Sequence, residues 1–146
     1  MQTNPPPPLS VVDDVSRIDF DQVTALLSDA YWCKGISKQE VIKAARNSAL
    51  NVAIINGQND VIAYGRVISD ATRFAYLTDF IVKDGYRNQA IGSKLTSHIL
   101  KHPTLADVYQ WLLITSTARS FYEKHGFKSL EAPEKFMQIM SKRPKR

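Results

Sequence analysis

The chain has a single cysteine, Cys33, and no long apolar run among its 146 residues. One cysteine cannot form an internal disulfide or a cysteine-cluster metal site. No apolar stretch approaches the roughly 20 residues of a membrane-spanning helix. The N-terminus also lacks the basic and apolar segments of a secretory signal. We therefore expect a cytoplasmic protein with no membrane partner.

Charge of one sign is in only slight excess. The net charge is +5 at pH 7, and four of the cations lie in the short segment after residue 141. A basic tail is a weaker indication of nucleic-acid binding than a basic face on the folded domain. We expect no nucleic-acid partner, and the alternative of tail-borne binding predicts that deleting the tail abolishes salt-sensitive association.

Proline is concentrated at one end, in Pro5–Pro8. Such a run favours an extended polyproline conformation, so residues 1–8 are expected to form an arm outside the fold. With 44% hydrophobic and 23% charged residues, the chain as a whole is typical of a soluble globular protein. The length suits one domain, which we place at residues 9–140, followed by a basic tail at residues 141–146.

Hydrophobic periodicity predicts a mixed α/β chain. The expected strands cover residues 9–15, 51–56, 61–69, 74–82, 111–115 and one or two parts of 127–140, and the expected helices cover residues 20–30, 38–47, 89–101 and 118–125. Asp19 and Ser37 are predicted helix N-caps, Glu40 completes a capping box with Ser37, and Gly126 is a predicted C-terminal cap.

A helix between the strands at residues 74–82 and 111–115 predicts that these two strands are parallel. The preceding meander should be antiparallel, so the predicted α/β (α+β) fold has a mixed, mostly antiparallel sheet flanked by helices. The apolar run of residues 111–115 predicts a strand covered on both faces. The three histidines show no metal-ligand spacing, and we predict no metal.

The stretch DGYRNQAIGSKL, residues 84–95, follows the apolar strand and opens a predicted helix. The first amides of a helix have no internal partners, and the helix dipole favours negative charge there. The residue pattern therefore predicts a phosphate-bearing cofactor at Arg87–Ser93. Lys83 and Lys94 are further candidates for charge-assisted bonds to phosphate.

Two segments together carry a family resemblance. Val82–Leu95 resembles the acyl-CoA motif of the GNAT N-acetyltransferase superfamily, Arg/Gln-x-x-Gly-x-Gly/Ala. ARSFYEKHGF, residues 118–127, is similar to the family's Ala-x-x-x-Tyr-Glu-x-x-Gly-Phe segment. The two motifs are separated by a predicted strand, and the order of elements matches over residues 9–140.

The resemblance implies a splayed parallel strand pair at the centre of the sheet and acetyl-CoA as acyl donor. It implies direct acetyl transfer to a primary amine of a small-molecule or peptide acceptor. The residues it assigns to coenzyme A are Phe80, Ile81, Val82, Arg87, Asn88, Gln89, Ala90, Ile91, Gly92 and Ser93. Dimers are common in this family, and the oligomeric state is left open.

The resemblance also implies catalytic roles. Tyr122 matches the tyrosine that protonates the leaving thiolate in many members, and its alternative is a packed aromatic side chain. Asp79, an acid within an apolar strand, is the candidate base for the amine, and its alternative is a structural or substrate-orienting carboxylate. Glu123 is a second candidate base that is expected on a solvated face.

Residues expected near the acceptor are Trp32, Cys33, Arg73 and Tyr76, with packing in the core as the alternative for Cys33 and for the two aromatic residues. Tyr31 is expected in the core. The chain departs from the family pattern at Ala90, where a glycine is usual, and at Thr115, where many members have asparagine. We expect Ala90 to be helical and the turn to be intact. Both departures motivate an alternative function, a catalytically silent module or sensor that binds coenzyme A.

Overall fold

The computed structural model describes residues 8–87 and 90–146. The chain divides into two compact units, Met1–Ile114 and Thr115–Arg146. The predicted arm lies almost wholly outside the described residues, as do Asn88 and Gln89. The single-domain boundaries remain a prediction.

The first unit contains all the strands of the described chain and the first three α-helices. The strands are β1 Ser10–Val12, β2 Leu50–Ile55, β3 Val61–Ser69, β4 Phe74–Val82 and β5 Gln110–Leu112, and the α-helices are α1 Phe20–Ser28, α2 Lys38–Arg46, α3 Ile91–Leu100 and, in the second unit, α4 Arg119–Glu123. Short 3₁₀ helices cover Val15–Arg17, Pro103–Leu105 and Pro133–Lys135. The predicted bounds of β3 and β4 are confirmed.

The five strands form one sheet in the order β1-β2-β3-β4-β5. The first three pairs are antiparallel, and β4 and β5 are parallel. This confirms the mixed, mostly antiparallel sheet. The parallel pair lies at one end of the order because the expected strand after β5 is not among the described elements.

Side chains begin the first two helices as predicted. Asp19 Oδ1 accepts hydrogen bonds from the amides of Asp21 at 3.0 Å and Gln22 at 3.3 Å. Ser37 Oγ accepts one from the amide of Glu40 at 3.1 Å. The Gln22 side chain also bonds to Asp19, and these contacts lower the pKa of the Asp19 carboxyl. The caps satisfy amides that have no partner inside the helix.

Helices α1 and α2 pack on the sheet through one hydrophobic cluster. Val23 and Leu27 of α1 and Val41 of α2 are buried with Tyr64 of β3 and Ile81 of β4. Helix α3 contacts β2, β3 and β4. Its buried side chains are Ile91, Leu95, Thr96 and Ile99. These contacts fix where the N-terminus of α3 lies relative to the end of β4.

Two expectations about the end of the chain are wrong. Residues 127–140 contain no strand, because Pro133 opens the 3₁₀ turn Pro133–Lys135 and proline cannot donate to a strand ladder. Met137 and Ile139 are almost fully exposed. The expected buried strand at residues 111–115 is also shorter and less covered, since Trp111 and Leu112 are only partly buried and Ile114 is exposed.

No helix in the described ranges combines the length and the apolar character needed to cross a membrane.

Candidate active site

Strand β4 carries a β-bulge near its end. Arg66 of β3 pairs with Thr78, whereas Tyr64 pairs with Ile81, so Gly65 alone lies opposite both Asp79 and Phe80. Asp79 has a φ of 50°, in the left-handed region. One extra residue bends a strand and redirects its backbone groups. The bulge therefore turns the backbone at Phe80, the first of the residues that the resemblance assigns to coenzyme A.

Gly65 allows α3 to lie close to the bulge. A Cβ at this position would be 3.0 Å from Ile99 Cδ1 of α3 and 3.4 Å from the ring of Phe80. Both distances are at or below ordinary van der Waals contact between carbon atoms. The missing side chain thus lets α3 and Phe80 pack directly over β3.

Asp79 is held by an ion pair. Its Oδ2 accepts a hydrogen bond from Arg66 Nε at 2.9 Å, and both side chains are 13% exposed. Arg66 Nη1 also donates to Ser48 Oγ at 3.1 Å, just beyond α2. Arg66 therefore links the bulge to the end of α2. This contact supports the structural alternative for Asp79, and its role as a base remains a prediction.

The pairing between β4 and β5 covers only the beginning of β4. The register runs from Phe74 opposite Gln110 to Tyr76 opposite Leu112 and stops there. Among the described strands, Leu77–Val82 pairs with β3 alone. This geometry matches the expected splayed pair. The second edge of β4 is therefore paired with β5 only at the beginning of the strand, before the bulge.

The turn after β4 is held by short-range bonds. The Tyr86 amide donates to the Lys83 carbonyl at 3.1 Å, and Gly85 has a φ of 90°. Arg87, a predicted phosphate ligand, donates from Nε to the Val82 carbonyl at 3.2 Å and forms an exposed ion pair with Asp84 at 2.9 Å. The guanidinium therefore lies over the end of β4.

Ala90 is the N-cap residue of α3 and is left-handed, with φ 57° and ψ 17°. The expectation that it would be helical is wrong in handedness. The left-handed conformation brings Cβ close to the carbonyl oxygen and costs about 1–2 kcal/mol for a residue other than glycine. The glycine usual at this position would avoid that strain. The side chain of Ala90 makes no capping hydrogen bond.

The first turn of α3 is a suitable anion site. Its first internal bond runs from the Lys94 amide to the Ala90 carbonyl at 3.1 Å. Amides at the start of a helix have no carbonyl within the helix to bond, and the helix dipole is positive there. Lys83 and Arg87, which precede this turn in the sequence, and Lys94 within it are exposed. The donor set therefore suits a phosphate group.

Tyr122 lies in α4 of the second unit. It is 8% exposed, and its ring packs edge-on against Phe121 and Phe127, with centroid distances of 5.1 and 5.8 Å. Burial raises the pKa of the Tyr122 hydroxyl to about 12. The phenol is therefore protonated at neutral pH. Gly126, the predicted C-terminal cap, is left-handed with a φ of 97° just after the helix.

The sequence profile of the acetyltransferase (GNAT) domain matches residues 46–129, more than half of the chain. The chain belongs to the GNAT family. The matched region contains β2 to β5, the turn before α3 and the Tyr122 helix. It therefore includes both motifs on which the resemblance rested. A search of curated proteins gave no match.

Solved structures agree with this family. A GNAT-family protein from Xanthomonas campestris pv. campestris is 30% identical, with a TM-score of 0.86 over 94% of this chain and 96% of that one. A protein of methicillin-resistant Staphylococcus aureus, described as a probable acetyltransferase, is 27% identical, with a TM-score of 0.73 over 91% of this chain and 99% of that one. A GNAT-family acetyltransferase from Streptococcus pneumoniae TIGR4 shares the fold at 22% identity and a TM-score of 0.71, over 93% and 99% of the two chains.

The predicted acceptor residues of this GNAT protein lie on two segments. Arg73 precedes β4 and donates to the Tyr109 hydroxyl at 3.1 Å, and Tyr76 lies where the parallel pairing ends. Trp32 and Cys33 lie between α1 and α2. Cys33 is buried in the cluster beneath these helices, with Sγ 3.2 Å from the Leu27 carbonyl. This position supports the packed alternative for Cys33.

Other predictions on loop residues have mixed outcomes. Tyr31, expected in the core, is 66% exposed, with its ring against Trp32. That expectation is wrong, because the chain turns out of the core after Ala30. Thr115 Oγ1 accepts a hydrogen bond from the Ala118 amide at 3.0 Å. Thr115, which stands where many family members have asparagine, therefore stabilises the turn that leads into α4.

The structure of the GNAT protein also brings together three residues that the sequence reading left apart. Asp13, His98 and His102 converge at the ends of β1 and α3, and each histidine Nε2 is 3.0 Å from Asp13 Oδ2. The four-residue spacing of the two histidines on a helix was the available signal, since such residues share a helix face. His98 and His102 therefore do have a spacing that suits two ligands of one metal ion, contrary to the expectation from the sequence.

A cavity of about 330 Å³ lies elsewhere, near the β2–β3 hairpin. Its lining residues are Val12, Arg17, Asp19, Ile55, Asn59 and Val61. Neither GNAT motif contributes to it, so the bulge and the α3 turn define the candidate active site.

Proposed function

We propose that this protein is an acetyl-CoA-dependent N-acetyltransferase that passes the acetyl group directly to a primary amine of a small-molecule or peptide acceptor. The observation that carries the proposal is the arrangement at the end of β4. There, the pairing of β4 with β5 ends at Tyr76, the strand carries a bulge at Asp79–Phe80, and α3 begins after Ala90.

The chemistry of these groups fits coenzyme A. The backbone of Phe80–Val82 offers amides and carbonyls for the peptide-like pantetheine arm. The first turn of α3, from Ala90, offers amides for the pyrophosphate. Lys83 and Arg87 lie beside that turn and can neutralise phosphate charge. Acetyl-CoA would supply a thioester carbon that is open to attack.

The proposed reaction is a single transfer. The amine nitrogen forms a bond to the thioester carbon, the carbon–sulfur bond breaks, and the electron pair leaves on sulfur. In this proposal a backbone amide at Phe80–Val82, at and after the bulge, stabilises the negative oxygen that develops on the carbonyl. The proton lost by the amine passes to a base or to water, and the thiolate takes a proton from an acid.

We assign the acid role to Tyr122. Its raised pKa keeps the hydroxyl protonated at neutral pH, which is the state a proton donor needs. The packing of its ring against Phe121 and Phe127 restricts its orientation. Tyr122→Phe should retain the packing and lose the donor.

The role of Asp79 is assigned from its contact, because its Oδ2 already accepts a hydrogen bond from Arg66 Nε at 2.9 Å. We therefore propose that Asp79 acts first as a positioning residue for the bulge. In this proposal a water molecule in contact with bulk solvent takes the amine proton.

A second candidate function has a specific observation in its favour. Ala90 is strained and its methyl group occupies the turn next to the proposed pyrophosphate site. A protein of this fold that binds coenzyme A without transferring an acetyl group would tolerate such a change. The two functions differ in whether free thiol is released.

The discriminating experiment combines binding with turnover. The full-length protein is titrated with coenzyme A in a thermal-shift assay and then incubated with acetyl-CoA and a panel of amines. Transfer predicts a rise in melting temperature, amine-dependent release of thiol, and a large loss of release with Tyr122→Phe at unchanged coenzyme A binding. Binding without thiol release for any amine supports the silent module. Absence of both results contradicts both functions.

A further inference from the structure

Three potential ligand atoms meet at one point on the surface of the first unit. They are Asp13 Oδ2, His98 Nε2 and His102 Nε2, which lie within 4.8 Å of one another. Tetrahedral bonds of about 2.0–2.1 Å to a metal would place neighbouring ligand atoms roughly 3.3 Å apart. The observed 3.0 Å between each Nε2 and Oδ2 is within a small side-chain adjustment of that arrangement.

The fold holds these side chains in place. Asp13 directly follows β1, His98 is in the last turns of α3, and His102 follows the end of α3. The two imidazole rings lie edge to face, with centroids 5.6 Å apart. His102 is the most buried of the three side chains, at 15% exposed, and Asp13 is the most exposed, at 41%. The cluster is therefore anchored on one side and reachable by solvent on the other.

The carboxylate and the two imidazoles face one another directly, because each histidine Nε2 lies 3.0 Å from Asp13 Oδ2. Two charged residues are adjacent in sequence to members of the cluster. Asp14 follows Asp13, and its carboxylate accepts a hydrogen bond from the Ser16 amide. Lys101 precedes His102. The cluster thus combines one anionic oxygen and two imidazole nitrogens.

We propose that Asp13, His98 and His102 form a binding site for a divalent first-row transition ion, Zn²⁺ in particular. Two imidazoles and one carboxylate suit Zn²⁺, whereas Mg²⁺ and Ca²⁺ prefer ligand sets made only of oxygen. Solvent at the exposed side completes four-fold coordination. The ion joins the end of β1 to the C-terminal end of α3, at the opposite end of that helix from the proposed coenzyme A turn.

Coordination has one structural consequence at His102. The Thr104 amide donates to His102 Nδ1 at 3.2 Å, so the neutral ring carries its hydrogen on Nε2. A metal at Nε2 requires that hydrogen to move to Nδ1. The Thr104 amide then loses its acceptor, at the start of the 3₁₀ helix Pro103–Leu105. Metal binding is therefore coupled to this turn.

The test uses full-length protein that has been freed of metal with a chelator and dialysed. Zn²⁺ is titrated by calorimetry, Co²⁺ by visible absorption, and the melting temperature is recorded with and without Zn²⁺. We expect one equivalent to bind, a tetrahedral Co²⁺ spectrum, and a rise in melting temperature, because a ligand that binds only the folded state stabilises it. The Thr104 amide resonance should shift on Zn²⁺ addition.

The variants Asp13→Asn, His98→Gln and His102→Gln retain hydrogen-bonding side chains and should fold. Each should weaken Zn²⁺ binding by at least about tenfold, the loss that removing even an outer hydrogen-bond partner of a metal ligand can cause. The control His125→Gln, in the second unit, should bind as the parent does. Binding that does not saturate, affinity that is unchanged in the three variants, or an unmoved Thr104 amide would overturn the proposal.

Discussion

Ala90 shows at the scale of one residue how the chain departs from its family. Its left-handed conformation costs about 1–2 kcal/mol. A glycine there would remove this strain but would stabilise the unfolded chain by about 0.4–1 kcal/mol, because glycine has more backbone entropy when unfolded. Ala90→Gly should therefore raise the free energy of unfolding by about 0.5–1 kcal/mol in urea denaturation. It should also tighten coenzyme A binding, since it removes a methyl group beside the proposed pyrophosphate site.

Ala71 offers a matched control for that change. It too is left-handed, with a φ of 61°, in the turn before β4. Ala71→Gly should give a similar gain in stability with no change in coenzyme A affinity. Equal changes in affinity for the two variants would mean that the α3 turn does not hold the cofactor.

Tyr122 makes the free energy of unfolding depend on pH in the alkaline range. Its pKa is about 12 in the folded protein and about 10 when unfolded, so the stability that its burial contributes is complete below pH 10 and is lost as the pH rises toward 12. Burial raises the pKa of Tyr64 as well, so part of this loss persists without Tyr122. The free energy of unfolding of Tyr122→Phe should fall less steeply than that of the parent between pH 9 and about 12. Identical slopes would show that Tyr122 is not buried in solution.

The Arg66–Asp79 pair belongs to the scale of elements, because it joins β3, β4 and the end of α2. Removing one partner of a buried ion pair leaves an uncompensated charge and costs about 3–5 kcal/mol. Arg66→Met should therefore destabilise strongly, and Arg66→Met combined with Asp79→Leu should recover much of the loss. A chemical-denaturation cycle of the four proteins measures this coupling.

The same variants separate the two roles of Asp79. If the carboxylate positions the bulge, the acetyl transfer lost in Asp79→Leu should be largely restored, together with the stability, when Asp79→Leu is combined with Arg66→Met. If the carboxylate is the base, the double variant should regain stability and stay inactive. The pH profile of kcat provides an independent readout, since a base would contribute an acidic limb.

Gly65 determines how closely α3 packs on the sheet. Gly65→Ala should destabilise by about 1–3 kcal/mol, the usual cost of overpacking a well-filled core, because the new Cβ meets Ile99 Cδ1 at 3.0 Å. Ile99→Val removes that atom. The double variant should therefore be less destabilised than the sum of the two single changes, and strict additivity in urea denaturation would argue against this contact.

At the scale of the whole molecule, the sequence predicted most of the first unit. Helix caps at Asp19 and Ser37 and the apolar strands β3 and β4 are local signals, and the structure has them where they were expected. The parallel pairing of β4 with β5 followed from the intervening helix. The end of the chain was predicted less well, because the apolar residues after Gly126 were read as a strand without weighing Pro133.

The candidate site was only partly accessible from sequence. The motif around Ala90 located the anion turn, but the handedness of Ala90 depends on the backbone path from β4 into α3. The Arg66–Asp79 contact depends on the register of the bulge, in which Gly65 faces two residues. The cluster of Asp13 with His98 and His102 joins residues far apart in the chain, and only the helical spacing of the histidines hinted at it.

We propose that this GNAT protein transfers an acetyl group from acetyl-CoA to an amine. The most direct measurement is mass spectrometry of each amine after incubation with the protein and acetyl-CoA, together with the amount of free thiol released. We predict an amine whose mass increases by one acetyl group, in equal molar amount to the released thiol, and a sharp decrease of both with Tyr122→Phe. Coenzyme A binding with no acetylated amine and no thiol above the protein-free control, across small-molecule and peptide amines, would contradict it.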